Sequence, residues 1–200
     1  MPETIILQGD GYTIARTDDA GTAIPYGPAD REDGARNHGF LDLRDRPELV
    51  RRIPEAQGSA GMQALLREVN APGFRFMSLG CERAIFPRQS GRREDPNYLC
   101  GGYIQVAYRD SVLNAAPDRL IALAQRLLSG IGASSEHHIG FTMIVEPLRS
   151  FFGDANRYAL MIKPLGYGNS RVVARSAWEH AARSIASGFA GLPRGHLPQT

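Results

Sequence analysis

Ile139-Gly140-Phe141-Thr142-Met143-Ile144-Val145-Glu146, then Arg157-Tyr158-Ala159-Leu160-Met161-Ile162-Lys163, then Pro164-Leu165-Gly166-Tyr167-Gly168-Asn169-Ser170, is the stretch that decides the fold. In the first segment bulky apolar Phe141, Met143 and Val145 alternate with Thr142, Ile144 and Glu146, the period of two expected of a strand. The second puts Tyr158, Leu160 and Ile162 on one face and Ala159, Met161 and Lys163 on the other. The loop between them, carrying Gly153-Asp154, reads as a hairpin connection. The third segment is turn chemistry, and Ser170 suits an N-cap for a helix over residues 171–189. Val173, Ala177, Trp178, Ala181, Ala182, Ile185 and Phe189 share a broad arc of that helix, which predicts that Trp178 is buried against the sheet. Arg171, Arg175, Glu179 and Arg183 recur every four residues on the opposite, wet side.

Working outward, residues 74–86 and 98–109 read as two more strands joined by the polar loop 87–96, and Pro117 opens a helix that Gly130 closes. Residues 74–130 and 139–190 therefore repeat one order: strand, long turn, strand, helix. Ser59 caps a shorter helix through Met62, Leu65, Leu66 and Val69, and residues 4–16 suit a small N-terminal hairpin. The expected fold is α+β, an antiparallel sheet with helices packed on one face, built from two ββα units. A ferredoxin-like βαββαβ order is the nearest familiar topology, reached if the helix at 60–69 lies between an N-terminal strand and the strand at 74–86. Residues 1–200 suit one domain with a loop-rich N-terminal arm at 17–46 and a short tail at 191–200.

The chain carries 23 basic and 21 acidic residues, and a net charge of +2 does not argue for nucleic acid. Arg83, Arg88, Arg92 and Arg93 make 83–93 the most basic stretch, diluted by Glu82, Glu94 and Asp95, so a solvated loop is the stronger reading. No apolar run approaches the ~18 residues of a membrane span, and the N-terminus lacks a secretory pattern, so a cytoplasmic protein without a membrane partner is expected. Cys81 and Cys100 are the only cysteines; they flank one loop, would sit nearly opposite one another if the hairpin centres near Ser90-Gly91, and read as reduced packing thiols.

Two sites can be drawn from these residues. The first is an anion site: Gly166, Tyr167 and Gly168 as a turn that converges backbone N–H groups, Ser170 and Arg171 at the helix N-terminus, and Lys163 beside them. A plain structural turn competes with it, since G-x-G before a helix is common connector chemistry and no Walker A order is present. The second is catalytic: His138 as general base with Glu146 orienting it. No metal-ligand spacing such as HExxH occurs, and no cofactor can be named.

Gln105, Thr142, Glu146 and Lys163 should gather with Tyr103 and Met161 on the second face of the sheet, either solvated, covered by a partner, or forming the floor of a ligand cleft under the 17–46 arm. The leading expectation is a protein that binds a small anionic or polar molecule on that face, with an enzyme acting on it left open. The competing one is a non-catalytic interaction or assembly subunit, a homo-oligomer included, using the same face, arm and tail. Packing of the arm discriminates: an arm closed on its own sheet favours a ligand, and an arm reaching away favours assembly.

Overall fold

A computed structural model describes residues 3–19, 21–32, 34, 36–88, 95–131 and 138–194. Six strands form the main sheet: β1 Thr4–Gly9, β2 Tyr12–Arg16, β3 Phe76–Pro87, β4 Tyr98–Tyr108, β5 Ile139–Leu148 and β6 Arg157–Gly168. Three helices follow successive strand pairs: α1 Ala60–Val69, α2 Pro117–Ile131 and α3 Arg171–Ala190. The spatial order is β1-β2-β5-β6-β4-β3.

This corrects the expected fold class. The protein is α+β, but the sheet is mixed: β2 runs parallel to β5, Tyr12 opposite Phe141 through Arg16 opposite Val145, while every other neighbouring pair is antiparallel. A parallel pair needs a long crossover, and here it is all of the chain between Arg16 and Ile139. The chain order ββα-ββα-ββα also differs from ferredoxin-like βαββαβ.

Alternation along β5 and β6 sends Phe141, Met143, Val145, Leu160 and Ile162 into one core with Ile104 and Val106 of β4 and the apolar stripes of all three helices. Trp178 is wholly buried there, beneath the Arg83 guanidinium, which lies 5.6 Å from its ring centroid. Burial of an indole this size contributes on the order of 3–5 kcal/mol, judged by what its truncation to alanine costs in other cores. Ser59 Oγ accepts from Met62 N–H at 3.1 Å, and Glu179 of α3 accepts from Gly61 N–H at 2.6 Å. Two of the donors that an α-helix leaves free at its N-terminus are thereby satisfied. Arg83 of β3 reaches the same carboxylate at 3.4 Å, so the network ties strand to both helices.

Residues 164–168 are not a turn. The structure carries β6 through Gly168, pairing Pro164 with Phe141 and Gly166 with both Ile139 and Cys100. Pairing with β4 skips from Ile162–Ile104 to Gly166–Cys100, in unchanged register, across the place where Pro164 has no N–H to donate. Gly166 and Gly168 face α3: a Cβ on Gly168 would stand 2.5 Å from Ala174 N. They are small because the helix lies directly on the strand.

The cysteines are also placed differently from the expectation. Cys81 opposes Ile104 and Cys100 opposes Ile85, so they are four positions out of step, about 13 Å along the strands. Both are free thiols. Arg92, Arg93 and the tail from residue 195 lie outside the described residues.

Candidate functional site

The arm returns to its own sheet. Ala23–Ile24 pairs in parallel with Ser150–Phe151, and Phe40 N–H donates to Tyr26 carbonyl at 2.9 Å. Ile24 then packs with Met77, Leu79, Ala107, Leu148, Phe151 and Ala159 in a second apolar cluster on the face opposite the helices, flanked by Tyr26 and Phe40. Edge contacts Tyr26–Phe40 (6.4 Å between centroids), Phe40–Phe152 (5.7 Å) and Phe151–Phe152 (5.0 Å) extend it. The arm is thus held by burial at its middle, with polar residues left on its margins.

The structure does not bring the sequence-derived site residues together. His138 and Glu146 lie at opposite ends of β5, eight positions and about 26 Å apart. His138 is exposed and its carbonyl accepts from Tyr167 N–H at 2.7 Å. Glu146 is 9% exposed and takes a 2.6 Å hydrogen bond from Gln105 Nε2 across β6, next to Gly21 of the arm. Burial pushes its pKa above the usual carboxylate value, while the Gln105 hydrogen bond and the Lys163 charge pull the other way. Lys163 does lie on the outer face, paired with Thr142, and Tyr167 sits under Arg88 at 5.3 Å. Ser170 Oγ caps α3 by accepting from Val173 N–H at 3.2 Å, and exposed Arg171 lies over Tyr98 at 5.9 Å. Since Gly166 and Gly168 face the helix, Lys163 and the α3 N-terminus are on opposite sides of the sheet.

A cleft of about 580 Å³ lies elsewhere, along β3 and beneath the arm. Every β3 residue from Ser78 to Arg83 lines it, with Tyr103 of β4 beside them. Tyr26, Arg31 and residues 36–41 of the arm also line it, as do Arg52, Ile53, Pro54, Glu55 and Leu66. The Arg31–Glu82 ion pair at 3.0 Å and a His38 Nδ1–Glu55 Oε1 hydrogen bond at 2.9 Å cross its margins. Arg83 pairs with Glu179. Arg36 and Arg52 have no ion pair among the described residues.

The floor is neutral. Burial, with the charges of Glu55 and Glu82, pushes the Cys81 thiol up to about 12. Burial does the same to the phenols of Tyr26 and Tyr103, each pushed up to about 12. At physiological pH these groups are hydrogen-bond donors and not nucleophiles. Asn70, fully buried, closes one end: its Oδ1 accepts from Ser78 N–H at 3.1 Å and its Nδ2 donates to Ser78 Oγ and Leu66 carbonyl at 2.9 and 2.7 Å.

None of the eight residues singled out by sequence lines this cleft. The signals that pointed toward it were coarser: the long unpatterned arm, Tyr103 on the polar face, and Arg83 in the basic stretch. Tyr26, Arg36, Arg52 and Cys81 meet only through tertiary structure. Among the described residues no three His, Cys, Asp or Glu side chains are grouped to hold a metal ion, and no helix is long and apolar enough to cross a membrane. No protein-family model, curated protein or solved structure matches this chain.

Proposed function

We propose that this chain binds a small anionic or polar molecule in the cleft between its arm and β3. The supporting observation is the charge left over in that cleft. Four arginines line it against two glutamates, and both glutamates already have partners, which leaves Arg36 and Arg52 without an ion pair among the described residues. A guanidinium presents a planar fork of donors suited to a carboxylate or phosphate. The neutral phenols and thiol on the floor offer polar contacts without adding charge, which favours binding over covalent chemistry at this place.

Calorimetry and thermal shift with phosphate, nucleotides and small dicarboxylates test the proposal. A ligand at 100 times its Kd should add about 2.7 kcal/mol of stability. The double change Arg36→Ala with Arg52→Ala should weaken that ligand at least tenfold while leaving unfolding of the free protein unaltered. If none of these anions stabilises the wild type, the proposal fails.

A second reading, an assembly subunit, draws on β1. It is an edge strand exposed along its whole length, with Ile5 59% accessible. Such an edge invites pairing, but its register with β2 slips between Ile5 and Leu7, and a bulge of this kind discourages further strands. Light scattering across a concentration series, on wild type and Ile5→Lys, decides it: a dimer abolished by the lysine supports assembly.

A further inference from the structure

We infer that the occupant of the cleft is an extended acidic peptide segment, taken up as an added strand on the free edge of β3. The inference rests on the cleft being a binding site, as proposed above, and names its ligand class.

Successive side chains of a strand point to opposite faces of the sheet. The cleft is lined by Leu66 and Cys81 from the helix side of the sheet and by Leu79 and Tyr26 from the other face, so it reaches around the strand's edge. Among the described residues β3 is last in the sheet and pairs only with β4, with a register slip between Ser78 and Gly80. Six residues of β3 span about 16 Å, the length of an extended segment of similar size, and all six line the 580 Å³ cleft. Such a surface recognises another backbone through ladder hydrogen bonds, with the walls selecting side chains.

The geometry also fixes an end. Ser78 N–H already donates to Asn70 Oδ1 and the register with β4 slips between Ser78 and Gly80, so the regular edge open to a guest is Gly80 to Arg83. Tyr26 reaches over the strand at Gly80, where a Cβ would stand 2.9 Å from its hydroxyl, and bounds the channel on the outer side. The guest's charge follows from Arg36 and Arg52, which line the cleft from two separate segments of the chain and can each take one carboxylate. Both sheet edges carry a register slip, β1 between Ile5 and Leu7 in its middle and β3 between Ser78 and Gly80 near its start; β1 also lacks the arginines that line the cleft, which is why the inference concerns β3 beyond its slip.

The test is titration of the ¹⁵N-labelled full chain with a pool of acetylated hexapeptide amides carrying glutamate at alternate positions and randomised apolar residues between. Amide resonances of Gly80 through Arg83 should move, with small changes at β1. A pool with lysine in place of glutamate should bind at least tenfold more weakly, as should the glutamate pool against Arg36→Ala with Arg52→Ala. A glutamate pool N-methylated at alternate residues keeps its charge but loses ladder donors, and at least a tenfold loss is expected there too. Equal binding of methylated and unmethylated pools overturns the inference, and so does a pool that leaves those amides unmoved. Inorganic phosphate run in parallel separates the outcomes. If phosphate moves Arg36 and Arg52 resonances and peptide does not, the cleft is a small-anion site and only the peptide inference falls. If neither binds, both fall.

Discussion

A Cβ on Gly166 would stand 2.8 Å from Trp178 Cα, so β6 and α3 meet backbone to backbone. The clash would involve main-chain atoms of Ala174 and Trp178, which cannot swing aside as a side-chain end can. Gly166→Ala should therefore lift α3 from the sheet and cost about 1–3 kcal/mol or more, the usual scale of overpacking. Gly130 in α2 is the control: a Cβ there meets Gly188 Cα at an ordinary 4.0 Å, and Gly130→Ala should stabilise by up to about 1 kcal/mol through helix propensity. Urea melts of both variants check the pair; destabilisation of equal size in both would refute the close-approach account.

Glu146 should make stability depend on pH in a definite sense. Burial raises its native pKa above 4.5, so the folded state holds this proton more tightly than the unfolded chain. Its contribution is fully present below 4.5 and is lost as pH rises through the native value. Glu146→Gln keeps an acceptor for Gln105 Nε2 and cannot ionise. From pH 4 to pH 7 the stability difference should move in favour of the variant. A difference that stays flat across this window would mean the carboxyl titrates alike in both states.

Asn70 is expected to act as the structural stop of the cleft. Asn70→Ala removes three side-chain hydrogen bonds and leaves the Ser78 N–H without its partner in a buried place, while the Leu66 carbonyl keeps the backbone N–H of residue 70. The expected cost is about 2–4 kcal/mol. Chemical denaturation measures it, and a loss under about 1 kcal/mol would show that water replaces the amide.

Cys81 should be a slow thiol. With its pKa pushed up to about 12, the thiolate is scarce at pH 8. Iodoacetamide at that pH should label it far more slowly than after denaturation, and intact mass should show both cysteines reduced, since neither opposes the other. Rapid native labelling, or a disulfide mass, would contradict the placement of Cys81.

The parts of the fold legible in sequence are those whose pattern is local. Phe141, Met143 and Val145 alternate because one face of β5 is core, and that alternation is visible in the eight letters themselves. Trp178 was legible through its arc with Ala182 and Ile185. Gly166 and Gly168 misled because glycine answers two needs: positive φ in a turn, and room for a neighbour's backbone. Pro164 strengthened the wrong choice, as proline is rare in a central strand. Tyr12 and Ile14 announce a strand but not its partner or direction, which is why the parallel pairing with β5 was missed. The cleft was least legible, for Tyr26, Arg52 and Cys81 share no spacing that a sequence pattern could register.

The parallel pairing of β2 with β5 sets an order of assembly. Strand Tyr12–Arg16 docks on residues 141–145, more than a hundred positions downstream, and contacts of such separation form late and slowly. During synthesis, which releases the N-terminus first, β2 has only β1 to pair with until β5 has left the ribosome. The arm between β2 and α1 is likewise untethered at its leading end until then. Ile24 waits for Phe151, its partner across the arm's own short pairing. The cleft wall is therefore one of the last surfaces to form, and a nascent or truncated chain ending before β5 would have α1 and β3 but no binding channel.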